Sequence, residues 1–236
     1  IKRYNKLFKH VENINLNFHY VDSNIYEDLP VNKGWSLDLW SRWKVLDILP
    51  SEIDRILILG VDTMIKNDIS KFYFQDLKGY YFAACPDTFI SNLNTEDWIG
   101  YEYLRKYEIL QTNYINADVV LVNLEETCKK VNFKNFILEY SYINSPCLDQ
   151  DVINFCFNKY LKLCNYKKYN FFPNTPFFSY KKNLEIYENA SIVQFTGSIN
   201  KPWNIFKSNW NNFVGVEDWW LLAAELGVTY RRIVLD

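Results

Sequence analysis

Three residues suited to ligand chemistry each follow a short apolar run: Asp62 after residues 55–59, Asp87 after 80–85 and Gly197 after 192–195. Open α/β sheets bind ligands beyond the carboxyl ends of their strands. A carboxylate at such an end can meet a polar ligand, and a glycine lets the backbone come close to one. Asp149-Gln150-Asp151 opens a second polar cluster at the start of a helix predicted near 150–161, and Lys201 follows closely on Gly197. Each has a plainer role open to it: Asp62 as a turn cap, Asp149 as a helix N-cap, Lys201 as a solvated lysine. His19 lies on the polar side of its segment, as a surface histidine would. No G-x-G-x-x-G follows a predicted strand, which argues against a Rossmann-type oxidoreductase.

The elements that must position these residues follow from hydrophobic spacing. Residues 14–20 alternate Ile14, Leu16, Phe18 and Tyr20 with polar residues, the period of a half-buried strand. Leu39, Trp40, Trp43, Leu46 and Leu49 recur at helical spacing between Ser36, a suitable N-cap, and Pro50, a stop. The run 55–59 is apolar on both faces, which predicts a central strand of a parallel or mixed sheet. Strands are also expected at 80–85, 119–124 and 192–195, with helices near 125–140 and 150–161. This alternation indicates one mixed α/β sheet flanked by helices. The aromatic, Lys-rich and Pro-punctuated stretch 165–183 is expected to be an ordered irregular excursion, and forming part of an acceptor-binding surface is its functional alternative.

With 236 residues, 49% of them hydrophobic, the chain can bury one substantial core, so a single domain is expected. The 26 basic and 28 acidic residues nearly balance, which argues against nucleic acid or an anionic membrane surface as the main partner. Five cysteines without a CxxC pair fit reduced thiols, and no apolar run approaches the roughly 20 residues of a membrane span. A soluble, cytoplasmic protein is the expectation, with peripheral membrane association left open. The 18% aromatic content suits sugar stacking, but a compositional bias along the whole chain accounts for it better.

Arg42 to Pro50 followed by Ile53 to Thr63 resembles glycosyltransferase family 8, where a helix leads through a Leu-Pro turn into a strand ending in Asp-x-Asp. Further matches follow in order: Asp68-Ile69-Ser70, Tyr114 to Ala117 with Val119 to Leu124, Asp149-Gln150-Asp151, Gly197 with Lys201-Pro202-Trp203, and Trp219-Trp220. The resemblance spans about residues 14–225. It extends to bacterial lipopolysaccharide and capsule galactosyl- and glucosyltransferases and to glycogenin-like enzymes. It implies one GT-A domain over 1–236, short of the family's first strand. It also implies a retaining hexosyltransferase that moves sugar from a nucleotide donor, expected to be a UDP-sugar, to a glycan, glycolipid or glycoprotein acceptor, as in polysaccharide biosynthesis. Carried over by position, Asp62 is the second Asp-x-Asp carboxylate, Lys201 and Gly197 meet the donor phosphates, and Arg42 contacts the donor. Asn116, Asp149 and Gln150 are the residues near the donor sugar, Gln150 stabilising positive character at the anomeric centre.

The chain departs from this pattern at the metal site. Gly60 stands where the family has the first Asp, Gln194 where it has a metal-binding His, and Asp118 where it has Gly. Asp62, Asp118 and Gln194 are then the candidate metal ligands, and weak or absent Mn2+ or Mg2+ binding is expected, because a glycine offers no side chain and an amide is a poorer ligand. If 119–124 lies beside 55–59, Asp118 emerges with Asp62 at one sheet edge. There it either restores a carboxylate or obstructs the pocket. A catalytically degenerate relative acting as a binding or scaffold subunit in glycan assembly is the alternative function.

Overall fold

The computed structural model describes residues 14–22, 38–94, 100–128 and 147–228. Its centre is β4 (Ile115–Asn123), in which Val119, Val120, Leu121 and Val122 are all fully buried. Branched residues suit a strand, and because alternate side chains point to opposite faces, such a run needs cover on both sides. One antiparallel neighbour is β1 (Arg55–Leu59), which pairs Leu59 with Val119; the other is β3 (Phe82–Pro86). Beyond β3 lies β5 (Leu161–Leu163), which runs parallel to it, so the sheet is mixed, in the order β1-β4-β3-β5. A separate antiparallel pair joins β2 (Thr63–Ile65) to β6 (Ile192–Gln194).

Helical segments at Asp38–Ser41, Arg42–Lys44 and Val45–Ile48 succeed one another along one face of the sheet. They bury Trp40, Trp43 and Leu46 in one cluster with Val120, Val122 and Phe82. Replacing either tryptophan with alanine would cost about 3–5 kcal/mol. The helix Asp149–Cys156 adds Val152 and Ile153 to that cluster. Phe72, Leu77 and Ile192 cover the other face, against Val119, Leu121 and Ala83. Near the carboxyl end, the helix Val216–Glu225 stacks Trp220 on Trp210 at 5.6 Å, and the Trp220 Nε1–H donates to the Pro202 carbonyl at 3.0 Å. That bond fastens the Lys201-Pro202-Trp203 turn to the body of the protein.

Several expectations need correction. Residues 56–59 form an edge strand, not a central one, among the described residues. Their apolar pattern reflects cover on the faces, Ile56 and Ile58 toward one cluster and Leu57 toward the other. Faces are set by packing and edges by pairing, so an apolar run does not fix position within a sheet. Among the described residues there are two sheets where one was expected. Residues 14–20 join no ladder with any of the described residues, and Ile14, Leu16 and Phe18 stay 39–48% exposed. A period-two pattern makes a strand only where a partner supplies hydrogen bonds. The helix expected at 150–161 ends at Cys156 and gives way to a 3-10 turn and β5. Ser36 and most of the helix expected near 125–140 lie outside the described residues, which retain Leu124–Thr127. The stretch 165–183 carries a short helix, Tyr166–Tyr169, and buries Phe171 and Phe172.

Candidate active site

Beyond the ends of β1 and β6 the chain gathers a charged set of side chains. Past Leu59, the Gly60 N–H donates to the Asp118 carbonyl at 2.7 Å, so the β1–β4 ladder runs on for one more residue. Asp62 sits buried in the following turn and is held when its carbonyl accepts from the Phe195 N–H at 3.0 Å. Its carboxylate pairs with the Lys201 ammonium. Asp118 accepts from Arg42 Nη1 at 2.6 Å and from the buried Gln194 Nε2 at 2.5 Å. Arg42 also donates to the Ala117 and Leu39 carbonyls and lies 3.4 Å from Asp149 Oδ2. It is thus the hinge between this set and the next.

A second set is built mostly of amides. The bulge between Ala84 and Pro86 ends the regular pairing of β3 just before Asp87. Asp87 Oδ1 caps the helix Thr88–Asn92 by accepting from the Phe89 and Ile90 N–H groups at 2.9 and 3.1 Å. Its Oδ2 accepts from Asn116 at 3.3 Å and from Gln150 at 3.2 Å. Gln150 Oε1 in turn accepts from the Ala117 N–H at 3.0 Å, and Asn116 Oδ1 accepts from the Asp118 N–H and Asn170. Asp149 accepts from Trp43 Nε1 at 2.7 Å. Two bonds between Asn154 and the Ile115 backbone tie the helix carrying Asp149 and Gln150 to β4. The residue before that helix, Leu148, takes φ +52°, a left-handed conformation costly for a side chain of its size.

Arg42, Asn116, Asp118, Asp149, Gln150 and Gly197 line one cavity of about 540 Å³, shared with Asp87. Gly197 takes φ +77°, which a glycine adopts freely. Asp62, Lys201 and Gln194 join this group through Asp118 and its neighbours. All the candidate residues are therefore brought together. Sequence reasoning assigned no role to Asp87, Trp43 or Asn170. Only Asp87, at a strand end, carried a signal; Trp43 looked like a pure core residue, and Asn170 sits in the irregular stretch.

A profile of the family described as Glycosyl transferase family 8 matches residues 1–206. The chain belongs to glycosyl transferase family 8. It is 26% identical over 166 residues to a putative glycosyltransferase of Haemophilus influenzae, covering 69% of this chain and 48% of that protein. It is 28% identical over 204 residues to general stress protein A of Bacillus subtilis, covering 80% and 67%. The chain thus spans about half the length of the first relative. Among solved structures, the galactosyltransferase LgtC in complex with donor and acceptor sugar analogues superposes with TM-score 0.65 at 21% identity, covering 86% of this chain and 73% of that one. The bifunctional glycosyltransferase WbbM gives 0.69 at 19%, covering 99% and 43%. The fold is GT-A, a mixed sheet with flanking helices.

Within this site Asp62, Asp87 and Asp149 are buried, while Arg42, Asp118 and Lys201 stay partly exposed. Burial pushes the Asp149 carboxyl above its usual range, although the Arg42 charge and the Trp43 hydrogen bond pull it back. Burial likewise raises Asp87 against its four hydrogen bonds. Asp62 is raised first by burial and then by the nearby Asp118 charge, with Lys201 opposing. For Arg42, burial acts to lower the pKa, but Asp149 and Asp118 outweigh it and the guanidinium is held charged. Among the described residues no three His, Cys, Asp or Glu side chains converge on one point. Two observations nevertheless suit a cation. The Gln194 side-chain oxygen is buried and unpartnered, a state that costs about 1–3 kcal/mol. In addition, the described acids Asp62, Asp87, Asp118 and Asp149 outnumber the cations Arg42 and Lys201. No helix among the described residues is long and apolar enough to cross a membrane.

Proposed function

We propose that this chain transfers a hexose from a nucleotide-sugar donor, a UDP-sugar, to a hydroxyl of a glycan, glycolipid or glycoprotein, with retention at the anomeric carbon. The observation that carries this reading is the Asn116–Gln150–Asp87 network lining the cavity beside the Arg42 and Lys201 cations. A nucleotide sugar leaves as a diphosphate, so the site must hold growing negative charge while keeping the anomeric carbon close to the acceptor oxygen. Lys201 and the backbone around Gly197 meet the phosphates. Gln150, locked by three hydrogen bonds, faces developing positive charge at the anomeric centre without having to reorganise. The bond from the anomeric carbon to the phosphate oxygen breaks with its electron pair leaving on the diphosphate. The acceptor oxygen bonds to the same face of the sugar, and its proton passes to the departing phosphate. Asp62 and Asp118 would be the residues to hold a divalent cation, which when bound would supply further charge stabilisation to the leaving group. We place the reaction in the cytoplasm, a compartment that suits the five free cysteines.

A panel of nucleotide sugars, incubated with and without Mn2+ and assayed for nucleotide release, tests this reading. Release from at least one donor, reduced in Gln150→Ala, is the expected result. No release and no donor binding under any condition would reject transfer in favour of a binding or scaffold role in glycan assembly.

A further inference from the structure

We propose that a carboxylate has changed strands in this protein: Asp118 stands in for the side chain that Gly60 lacks, and a divalent cation is held by Asp62, Asp118 and the Gln194 side-chain oxygen. The inference rests on the transferase reading for its use, but not for its geometry. A Cβ built on Gly60 would lie 2.9 Å from both Cβ and Cγ of Asp118 and 3.0 Å from Asp62 Oδ1. Real Cβ atoms essentially never approach that closely, so side chains at 60 and at 118 exclude each other. The Asp118 side chain therefore occupies space a side chain at 60 would enter, and Asp62 Oδ1 lies within 3.0 Å of the same point.

The backbone does not itself require glycine here, since Gly60 is absent from the glycines of positive φ. What its missing side chain supplies is room. The two strands converge at this place, with the Gly60 N–H bonded to the Asp118 carbonyl at 2.7 Å. A Cβ at 60 would lie 2.9 Å from that of Asp118, against the roughly 4.5–5.5 Å usual for cross-strand pairs.

Two further observations point to a cation. Gln194 is 1% exposed and its amide reaches Asp118 at 2.5 Å, yet its Oε1 has no partner. Rotating the amide by half a turn would exchange its nitrogen for this oxygen beside the carboxylates, where a bound cation would take it as a ligand. Two carboxylates and an amide oxygen are hard ligands, suited to Mn2+ or Mg2+ and not to soft metals. The second observation is charge. Asp62 and Asp118 are each matched by one cation, Lys201 and Arg42, and Arg42 is also shared with Asp149. A diphosphate arriving here would compete with those carboxylates for the same cations unless a further positive charge came with it. Weak metal binding was expected because Gly60 and Gln194 together remove more coordination than Asp118 alone returns; the close approach of positions 60 and 118 and the unpartnered Gln194 oxygen argue the other way.

The test is an exchange. Mn2+ binding in the presence of UDP is measured by electron paramagnetic resonance on wild type, Asp118→Gly, Asp118→Asn and the double variant Gly60→Asp/Asp118→Gly, with thermal melting as the folding control. Wild type should bind Mn2+, both single variants should lose on the order of tenfold or more in affinity, and the double variant should regain it, since loss of even a supporting partner costs about 10–100-fold. Asp118→Asn keeps the shape, so it tests the charge even if Asp118→Gly folds poorly. Wild type that binds no Mn2+ with UDP, or Asp118→Asn binding as tightly as wild type, would overturn the exchange. Nucleotide release from donors that persists undiminished in EDTA would also overturn it while leaving the transferase reading intact. Asp118-dependent Mn2+ binding without donor turnover would support the exchange while that reading failed.

Discussion

The amide set and the charged set lie side by side in one site yet are built on opposite plans. In the first, Asn116, Gln150 and Asp87 use nearly all their hydrogen-bonding groups on one another and on backbone N–H groups. Such a network polarises itself and holds one geometry. In the second, Asp62 and Asp118 are held by long flexible cations, and Gln194 leaves a buried oxygen unpartnered. Its contacts can be traded for those of a ligand at little cost. On the transfer reaction proposed above, the contrast divides the labour: the preorganised set would stabilise the sugar, and the exchangeable set would receive the charged leaving group.

If that division is right, changes in the amide set should affect rate and folding, and changes in the charged set should affect donor affinity. The largest effect is expected from Gln150→Ala, which should lower the transfer rate about 10²–10³-fold with donor affinity nearly kept, as when one preorganised stabilising group is removed. Steady-state kinetics separating kcat from KM checks this. Asp87→Ala should destabilise the protein by about 2–4 kcal/mol, because it removes a helix cap and strands the Asn116 and Gln150 N–H groups in a buried place. Denaturant unfolding measures that loss, and an unchanged midpoint would erase the contrast between the two sets.

Lys201→Ala should weaken donor binding by roughly 1–3 kcal/mol in calorimetry, the value of a charge-assisted phosphate contact. The smallest effect is expected from Arg42→Lys, about 1 kcal/mol in donor affinity. A lysine keeps the charge but cannot span the Ala117 carbonyl, the Leu39 carbonyl and Asp118 with one planar group.

How far the sequence foretold this molecule depends on whether a feature is local. The run from Val119 to Leu124 announced the core of β4, and Asp149-Gln150 announced its helix, because both signals lie within a few residues. Asp87 was visible as a residue after a strand, but its partners Asn116 and Gln150 lie 29 and 63 residues away, and no spacing rule links them. The edge position of β1 was hidden for a related reason: its apolar faces are written in its own residues, whereas its neighbours are chosen elsewhere in the chain. Gly60 and Asp118 were legible as a lost and a gained carboxylate, but the choice between restoration and obstruction turns on how closely their strands converge, and no local signal carries that.

The most direct measurement of the central claim is a crystal structure of the chain soaked with UDP and Mn2+. The diphosphate is expected against Lys201 and the backbone at Gly197, with the cation held by Asp62 and Asp118. UDP bound away from the Asn116–Gln150 cavity, or density for neither nucleotide nor cation at saturating concentrations of both, would contradict that claim.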